Sequence, residues 1–405
     1  MDRLHHPHPH YHPASLLRVR DGHEARVSYI ELFFDLIYVF AVTQLSHNLL
    51  DKLTPAGALQ TLVLWFAVWL AWQYTAWVTN WFDPEALPIR MLLLAIMLLG
   101  LPMAAALPDA FGDRALVFAG TYVAIQVGRT LFVLARLGRA HQLAPNFRRM
   151  LGWLSISAVL WIAGGLLPQY RLGLWIAAVA CEYLSPMAGF WLPGLGRSRT
   201  GDWTIEGGHL AERCQLFVIV ALGESLLMTG ATLAHAHEWQ GPVLVACAVA
   251  FLGTAAMWWM YFDTSGKDGS EAIVRSADPG RIGAYFHYVH VIIVGGVILS
   301  AVGAELAIAH PDQRSDALHG ALLILGPAIY VLGNGIYKQV VYRRFPLSHV
   351  AGLVLLAMLA PLAMLTDLLM ISGLAAVVLA VVAAWEGCAR RAVRMAYLDE
   401  HAADF

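Results

Sequence analysis

Charge is what this sequence has least of. Only 13% of its 405 residues are Asp, Glu, Lys or Arg, against about 25% in an average soluble domain, while 59% are hydrophobic. So little charge excludes a soluble globular domain and makes a lipid bilayer the expected solvent and partner. Cysteine is scarce too. Cys181, Cys214, Cys247 and Cys388 stand singly in apolar segments with no CxxC spacing, which excludes a disulfide framework and a thiolate zinc site. A net charge of −2 offers no footprint for nucleic acid. No GxSxG, HExxH, P-loop or Rossmann glycine pattern stands in a suitable context, so neither a catalytic nucleophile nor a cofactor is indicated. The opening MDRLHHPHPHYHP lacks the basic-then-apolar order of a cleavable signal peptide, and the first hydrophobic helix is expected to direct insertion. Its His5, His6, His8, His10 and His12 form a histidine-proline tract that can bind metal loosely, in a tail expected to be disordered.

What is present is a succession of apolar runs, each long enough to span about 30 Å of hydrocarbon. They fall near 30–50, 57–80, 87–107, 114–136, 148–168, 170–193, 209–234, 241–262, 281–306, 317–341, 348–366 and 367–389. The sequence therefore predicts an all-α integral membrane protein of about twelve transmembrane helices. The closest breaks are Pro168-Gln169 and Thr366-Asp367. Positive charge collects in cytoplasmic loops. Of the 26 basic residues only Lys52, Arg114, Arg171 and Arg314 fall on the opposite side, with Arg129 and Arg213 inside helices. Both termini are thus expected in the cytoplasm, with the protein in the inner membrane.

Matched fragments suggest two parallel six-helix pseudo-repeats. Cys214–Phe217 parallels Ile30–Phe33, Tyr261–Asp263 parallels Trp81–Asp83, Leu332-Gly333 parallels Val127-Gly128, and Glu386 parallels Glu182, all in the same order. The expected organisation is a cytoplasmic disordered tail at 1–28, a first half at 29–194, a cytoplasmic linker at 195–208, a second half at 209–389 and a cytoplasmic tail at 390–405.

Ionisable residues at bilayer depth are costly and usually face a protein interior or a water-filled path. The first span carries Glu31, Asp35, Gln44 and His47. At 100° per residue, Glu31 and Asp35 lie about 40° apart on one face, with Gln44 and His47 pointing elsewhere. In 209–234, His209, Glu212, Arg213 and Glu224 fall on one side of the helix, and Arg213 is the expected charge partner of Glu212. Gly223 beside Glu224 permits close approach by another helix. Arg129 shares a stripe with Tyr122 and Gln126 and needs an acid, for which Asp35, Glu182 and Glu224 are the candidates. His287 and His290 form an i, i+3 pair, too few ligands for a metal site. Asp35 and Glu224 are expected to face one shared central cavity. Trp65, Trp69, Trp72, Trp77 and Trp81, with Trp258 and Trp259, read as interface belts and packing.

The stretches ELFFDLIYVFAVTQLSH at 31–47 and HLAERCQLFVIVALGES at 209–225 resemble the low temperature requirement A family of bacterial membrane proteins. The resemblance implies a multi-pass membrane protein, carries over Glu31, Asp35, His209, Glu212, Arg213 and Glu224, and implies no particular reaction. Phe33-Phe34-Asp35 also resembles, more distantly, the Phe-Ser-Asp opening of a family of six-plus-six-helix potassium channels, with Phe34 in place of the serine. The leading functional expectation is a transporter or channel for a proton, cation or small solute, using these intramembrane carboxylates. The alternatives are a membrane-embedded enzyme acting on a lipid or apolar substrate, and a structural or stress-related component; a homo-oligomer is compatible with each.

Overall fold

The computed structural model describes residues 16–18, 26–138, 141–203, 205–236, 238–263, 266–274, 276 and 278–401. The histidine tract lies outside them. The described chain is a bundle of helices: α1 (Tyr29–Asp51), α2 (Pro55–Trp81), α3 (Leu87–Ala106), α4 (Ala115–Leu137), α5 (Ala144–Leu166), α6 (Arg171–Met187), α7 (Gly207–His235), α8 (Gly241–Trp258), α9 (Gly266–Val274), α10 (Pro279–Ala309), α11 (Ala317–Tyr342), α12 (Leu347–Met358), α13 (Ala360–Ala363) and α14 (Leu368–His401). Among the described residues ten helices are long and apolar enough to cross a membrane. The other two spans expected from the sequence correspond to shorter elements, the 17-residue α6 and the broken pair α12 and α13. At 1.5 Å per residue α6 reaches only about 26 Å, a little under the hydrocarbon thickness. Short α9 is the one helix that the hydropathy pattern did not anticipate.

Local chemistry sets the ends. Thr54 caps α2 through Gly57 N at 3.0 Å with Pro55 in the first turn, Glu206 caps α7 through His209 N at 3.1 Å, and Asp278 caps α10 through Arg281 N at 3.0 Å. Pro168–Tyr170 forms the break between α5 and α6, and a bridge from Arg314 to Asp367 ties the loop before α11 to the start of α14.

Helices α10 and α11 approach so closely that a Cβ on Gly296 would lie 2.5 Å from Tyr330 N. Only glycine permits this contact, the small-residue packing typical of helix pairs in lipid. In the first half α1 packs on α3, α3 on α4, α4 on α5, α5 on α6 and α2 on α6; in the second, α7 packs on α10, α10 on α11, α11 on α12, α12 on α14 and α8 on α14. Contacts between the halves come mainly from α1 and α2 against α7 and α10. Trp65, Trp69, Trp72 and Trp81 are buried, which fits the packing half of the expectation and not the belt, whereas Trp258 and Trp259 are exposed.

Leu16–Arg18 is not the disordered tail expected of 1–28. Leu17 bridges Phe82, Asp83 N donates to Leu16 O at 2.9 Å, and Arg18 N donates to Trp81 O at 2.9 Å, so this strip lies across the end of the bundle where α2 ends and α1 and α7 begin.

Candidate functional site

Two linked ionic groups occupy the Arg18 end, at the interface of α1, α2 and α7. Glu31 is fully buried and accepts from Ser28 N and Ser28 Oγ, both at 2.9 Å, and from Arg18 Nη2 at 3.2 Å. Its other oxygen lies 2.9 Å from His209 Nε2. The amide of Asn80 is oriented by Glu206, donating to its carbonyl at 2.8 Å and accepting from its N–H at 3.0 Å. Asn80 Nδ2 therefore faces His209 Nδ1 as a donor at 3.2 Å, while His209 Nε2 lies within 3.0 Å of both the Glu31 carboxylate and the Arg18 Nη2 donor. Arg18 also donates from Nε to Thr79 O at 2.7 Å.

One turn deeper, Asp35 Oδ1 accepts from Arg213 Nη2 and from Trp72 Nε1, both at 2.8 Å. The Arg213 guanidinium lies 5.9 Å from the Phe34 ring and 5.6 Å from the Trp72 ring, within cation–π range. Among the described residues, Asp35 Oδ2 and Arg213 Nε and Nη1 have no hydrogen-bond partner. Arg18, Arg213, Glu31 and Asp35 thus form two buried charge pairs with no net charge, the condition under which buried ions are tolerable. This corrects the expected Glu212–Arg213 pair: Glu212 is half-buried and accepts from Val27 N at 3.0 Å instead.

Arg129 does not meet an acid directly. It donates to Thr75 Oγ1 at 3.0 Å, to Ala71 O at 3.3 Å and to Gln126 Oε1. Gln126 Nε2 donates to Tyr122 OH at 3.0 Å, and that hydroxyl donates to Glu182, which also accepts from Ser157 Oγ at 2.6 Å and Trp161 Nε1 at 2.9 Å. A chain of neutral groups thus separates Arg129 from the Glu182 carboxylate. Glu386 on α14 is a half-buried acid bonded by Lys338 Nζ at 2.6 Å and by Ser348 Oγ.

His287 and His290 do not form a joint site. His290 donates from Nδ1 to Phe286 O and accepts at Nε2 from Tyr261 OH, both at 2.6 Å, a fully satisfied arrangement. His287 Nδ1 lies 3.1 Å from Gly283 O, its ring rests 5.9 Å from that of Trp72, and its Nε2 has no hydrogen-bond partner among the described residues. Among the described residues no group of three His, Cys, Asp or Glu side chains is placed to hold a metal. Gln44 is half-buried on α1, and among the described residues its side chain joins none of these hydrogen-bonded groups.

Glu224 sits apart from all of these. It lines a cavity of about 1040 Å³ at the opposite end of the bundle, between α1, α7, α8 and α10, whose mouth is formed by loop residues such as Ala236, Gln240 and Asp312. Four carboxylates line this space, Glu224, Glu238, Glu305 and Asp312, with His47 and His235 and, among the described residues, no Lys or Arg. Glu224 is only 5% exposed and has no hydrogen-bond partner among the described residues. Half-buried Glu305 has its Oε2 unpartnered too. Asp35 does not line the cavity, so the expected convergence of Asp35 and Glu224 is not found. Between them stand Trp69, Trp72 and Phe217, with ring centroids 4.6–5.3 Å apart.

These features define a polytopic all-α membrane protein with buried charge pairs at one end of its core and an acidic vestibule at the other. The family model described as "Bacterial low temperature requirement A protein (LtrA)" matches residues 26–384, and the chain belongs to that family. It is 39% identical over 381 residues to the uncharacterized protein RA0937 of Rhizobium meliloti (strain 1021), the match covering 93% of each chain. No solved structure matches.

Sequence reasoning did not single out Arg18 or Asn80 for the site, and it read Trp72 only as belt and packing. Arg18 had no detectable signal. For Glu31, however, Ser28-x-x-Glu31 is a capping-box pattern that places its carboxylate back on the Ser28 N–H.

Proposed function

We propose that this protein is a secondary transporter for a cation in the bacterial inner membrane, with both termini cytoplasmic and the acidic vestibule facing the other side. The observation that carries this reading is Glu224: a carboxylate nine-tenths buried and, among the described residues, without a hydrogen-bond partner, in a cavity that no Lys or Arg of those residues lines. Such an arrangement focuses negative potential and raises the local concentration of cations.

A transporter fits better than an open channel. Glu224 lies about 16 Å along α7 from Arg213 at 1.5 Å per residue. That interval is filled by the ring contacts of Trp69, Trp72 and Phe217 and then by the Asp35–Arg213 pair. Access from the cytoplasm requires these packed groups to part, and the charge pairs joining α1, α2 and α7 are the contacts that would have to exchange. Two six-helix halves supply a mechanical basis, since the contact order within α1–α6 resembles that within α7–α14 and the halves meet at α1, α2, α7 and α10.

The test is flux in liposomes containing the purified full chain, scanned with sodium, potassium, proton and small ammonium gradients. A saturable flux of at least one cation, abolished in Glu224→Gln, is expected. No flux of any cation, or equal flux in the variant, would remove the transport reading.

A further inference from the structure

We infer that the vestibule binds an organic ammonium ion with an apolar body, its charged head on Glu224 and its body on α7, α8 and α10; this rests on the cation-transport reading above. Three features distinguish such a ligand from an inorganic ion. The first is size: about 1040 Å³ lies at the upper end of small-molecule sites, whereas a water occupies only about 30 Å³. The second is the donor set, because no three His, Cys, Asp or Glu groups among the described residues converge as a metal requires, and the buried Glu224 acts singly. The third is the wall. Leu227, Met228, Val243 and Ile308 face the same space as Glu224 and offer nothing to a hydrated inorganic ion, yet they can bury alkyl surface.

An ammonium head supplies the hydrogen bonds that Glu224 lacks. A charge-assisted bond of this kind is lost when the carboxylate is replaced, while the alkyl body gains affinity with each methylene that leaves water. Glu305, whose Oε2 is also without a partner, is the second carboxylate available to a head group entering from the mouth.

The experiment measures the concentration of methyl-, ethyl-, propyl- and butylammonium chloride that half-maximally stabilises the full chain against thermal unfolding in detergent. Butanol and potassium chloride are run alongside. The half-maximal concentration is expected to fall about three- to fourfold with each added CH₂. Butanol should give no saturable shift, and Glu224→Gln should weaken butylammonium about ten- to hundredfold. Glu224→Asp keeps the charge and should retain saturable binding, which separates loss of the site from a folding defect; Glu85→Gln, at the other end of the bundle, should behave as wild type. A flat ammonium series matching potassium chloride, or equal binding by Glu224→Gln, overturns the inference. If that flat series accompanies a Glu224-dependent potassium or sodium flux in liposomes, the organic ligand fails and cation transport stands. Absence of Glu224-dependent flux for every cation, ammonium ions included, defeats the transport reading, and together with a flat ammonium series defeats both.

Discussion

Separating Asp35 from Arg213 is the most informative perturbation of the core. The pair makes one bond at 2.8 Å between groups almost fully removed from solvent. At an effective dielectric of ~20, unit charges at that separation attract by about 6 kcal/mol. Desolvation of both ions offsets part of this, and removing one partner of a buried pair typically costs about 3–5 kcal/mol because the other charge is stranded. The two single variants should differ. Asp35→Leu leaves Arg213 without its hydrogen-bonded acid, against the faces of Phe34 and Trp72, so a loss of about 3–5 kcal/mol is expected. Arg213→Met leaves Asp35 still holding the Trp72 indole N–H, worth about 1.5–3 kcal/mol to a charged acceptor, and should fall at the lower end. The double variant strands no ion. It leaves mainly the Trp72 N–H unpaired and should lose about 1–3 kcal/mol, less than either single change implies. Equilibrium unfolding in mixed micelles, read by tryptophan fluorescence, gives the four corners of the cycle. Additive losses, or single variants each within about 1 kcal/mol of wild type, would refute the pairing.

Arg129→Met should cost about 1–3 kcal/mol in the same assay, less than Asp35→Leu, because it strands neutral acceptors and not a bare carboxylate; a larger loss would mean that Arg129 acts on Glu182 directly. Asp316 caps α11 through Leu318 N and His319 N at 2.9 Å, and these bonds, that to His319 foremost, hold its carboxyl below the usual Asp range. A depressed folded value means the contribution is complete above the ordinary Asp pKa, about 3.9, and is lost as pH falls through the lower folded value. Asp316→Ala should therefore cost about 0.5–2 kcal/mol at neutral pH and flatten the acid limb of the melting profile, and an unchanged limb would count against the cap. For orientation, reporters fused after Phe405 and within the loop at Arg139 should both report cytoplasm and one at Ala236 the opposite side; a cytoplasmic signal at Ala236 would invert the vestibule.

Hydropathy made the spans legible because crossing hydrocarbon is a one-dimensional requirement that each segment satisfies alone. The two spans that came out short are those beside Pro168 and Thr366-Asp367, where a break of a few residues was already visible in the chain. Glu31 and Asp35 were legible as buried groups for the same reason: apolar neighbours on both sides leave a charge few places to go. Their partners were not. Adjacency in the chain pairs Arg213 with Glu212, yet neighbouring residues on a helix point about 100° apart and do not face each other. Its true partner lies on α1, a contact set by how α1 and α7 pack. Arg18 was hidden more deeply, since an arginine before the first span reads as a loop charge until the ends of α1, α2 and α7 come together around it. The vestibule likewise depends on Glu305, about eighty residues from Glu224 in the chain, and on loops that no periodicity describes.

The most direct measurement of the central claim is charge movement on a solid-supported membrane carrying the oriented full chain. Rapid addition of a permeant cation on the vestibule side should give a saturable transient current in wild type and none in Glu224→Gln. A wild-type membrane without current, or an equal current in Glu224→Gln, would contradict the assignment of Glu224 as the cation site.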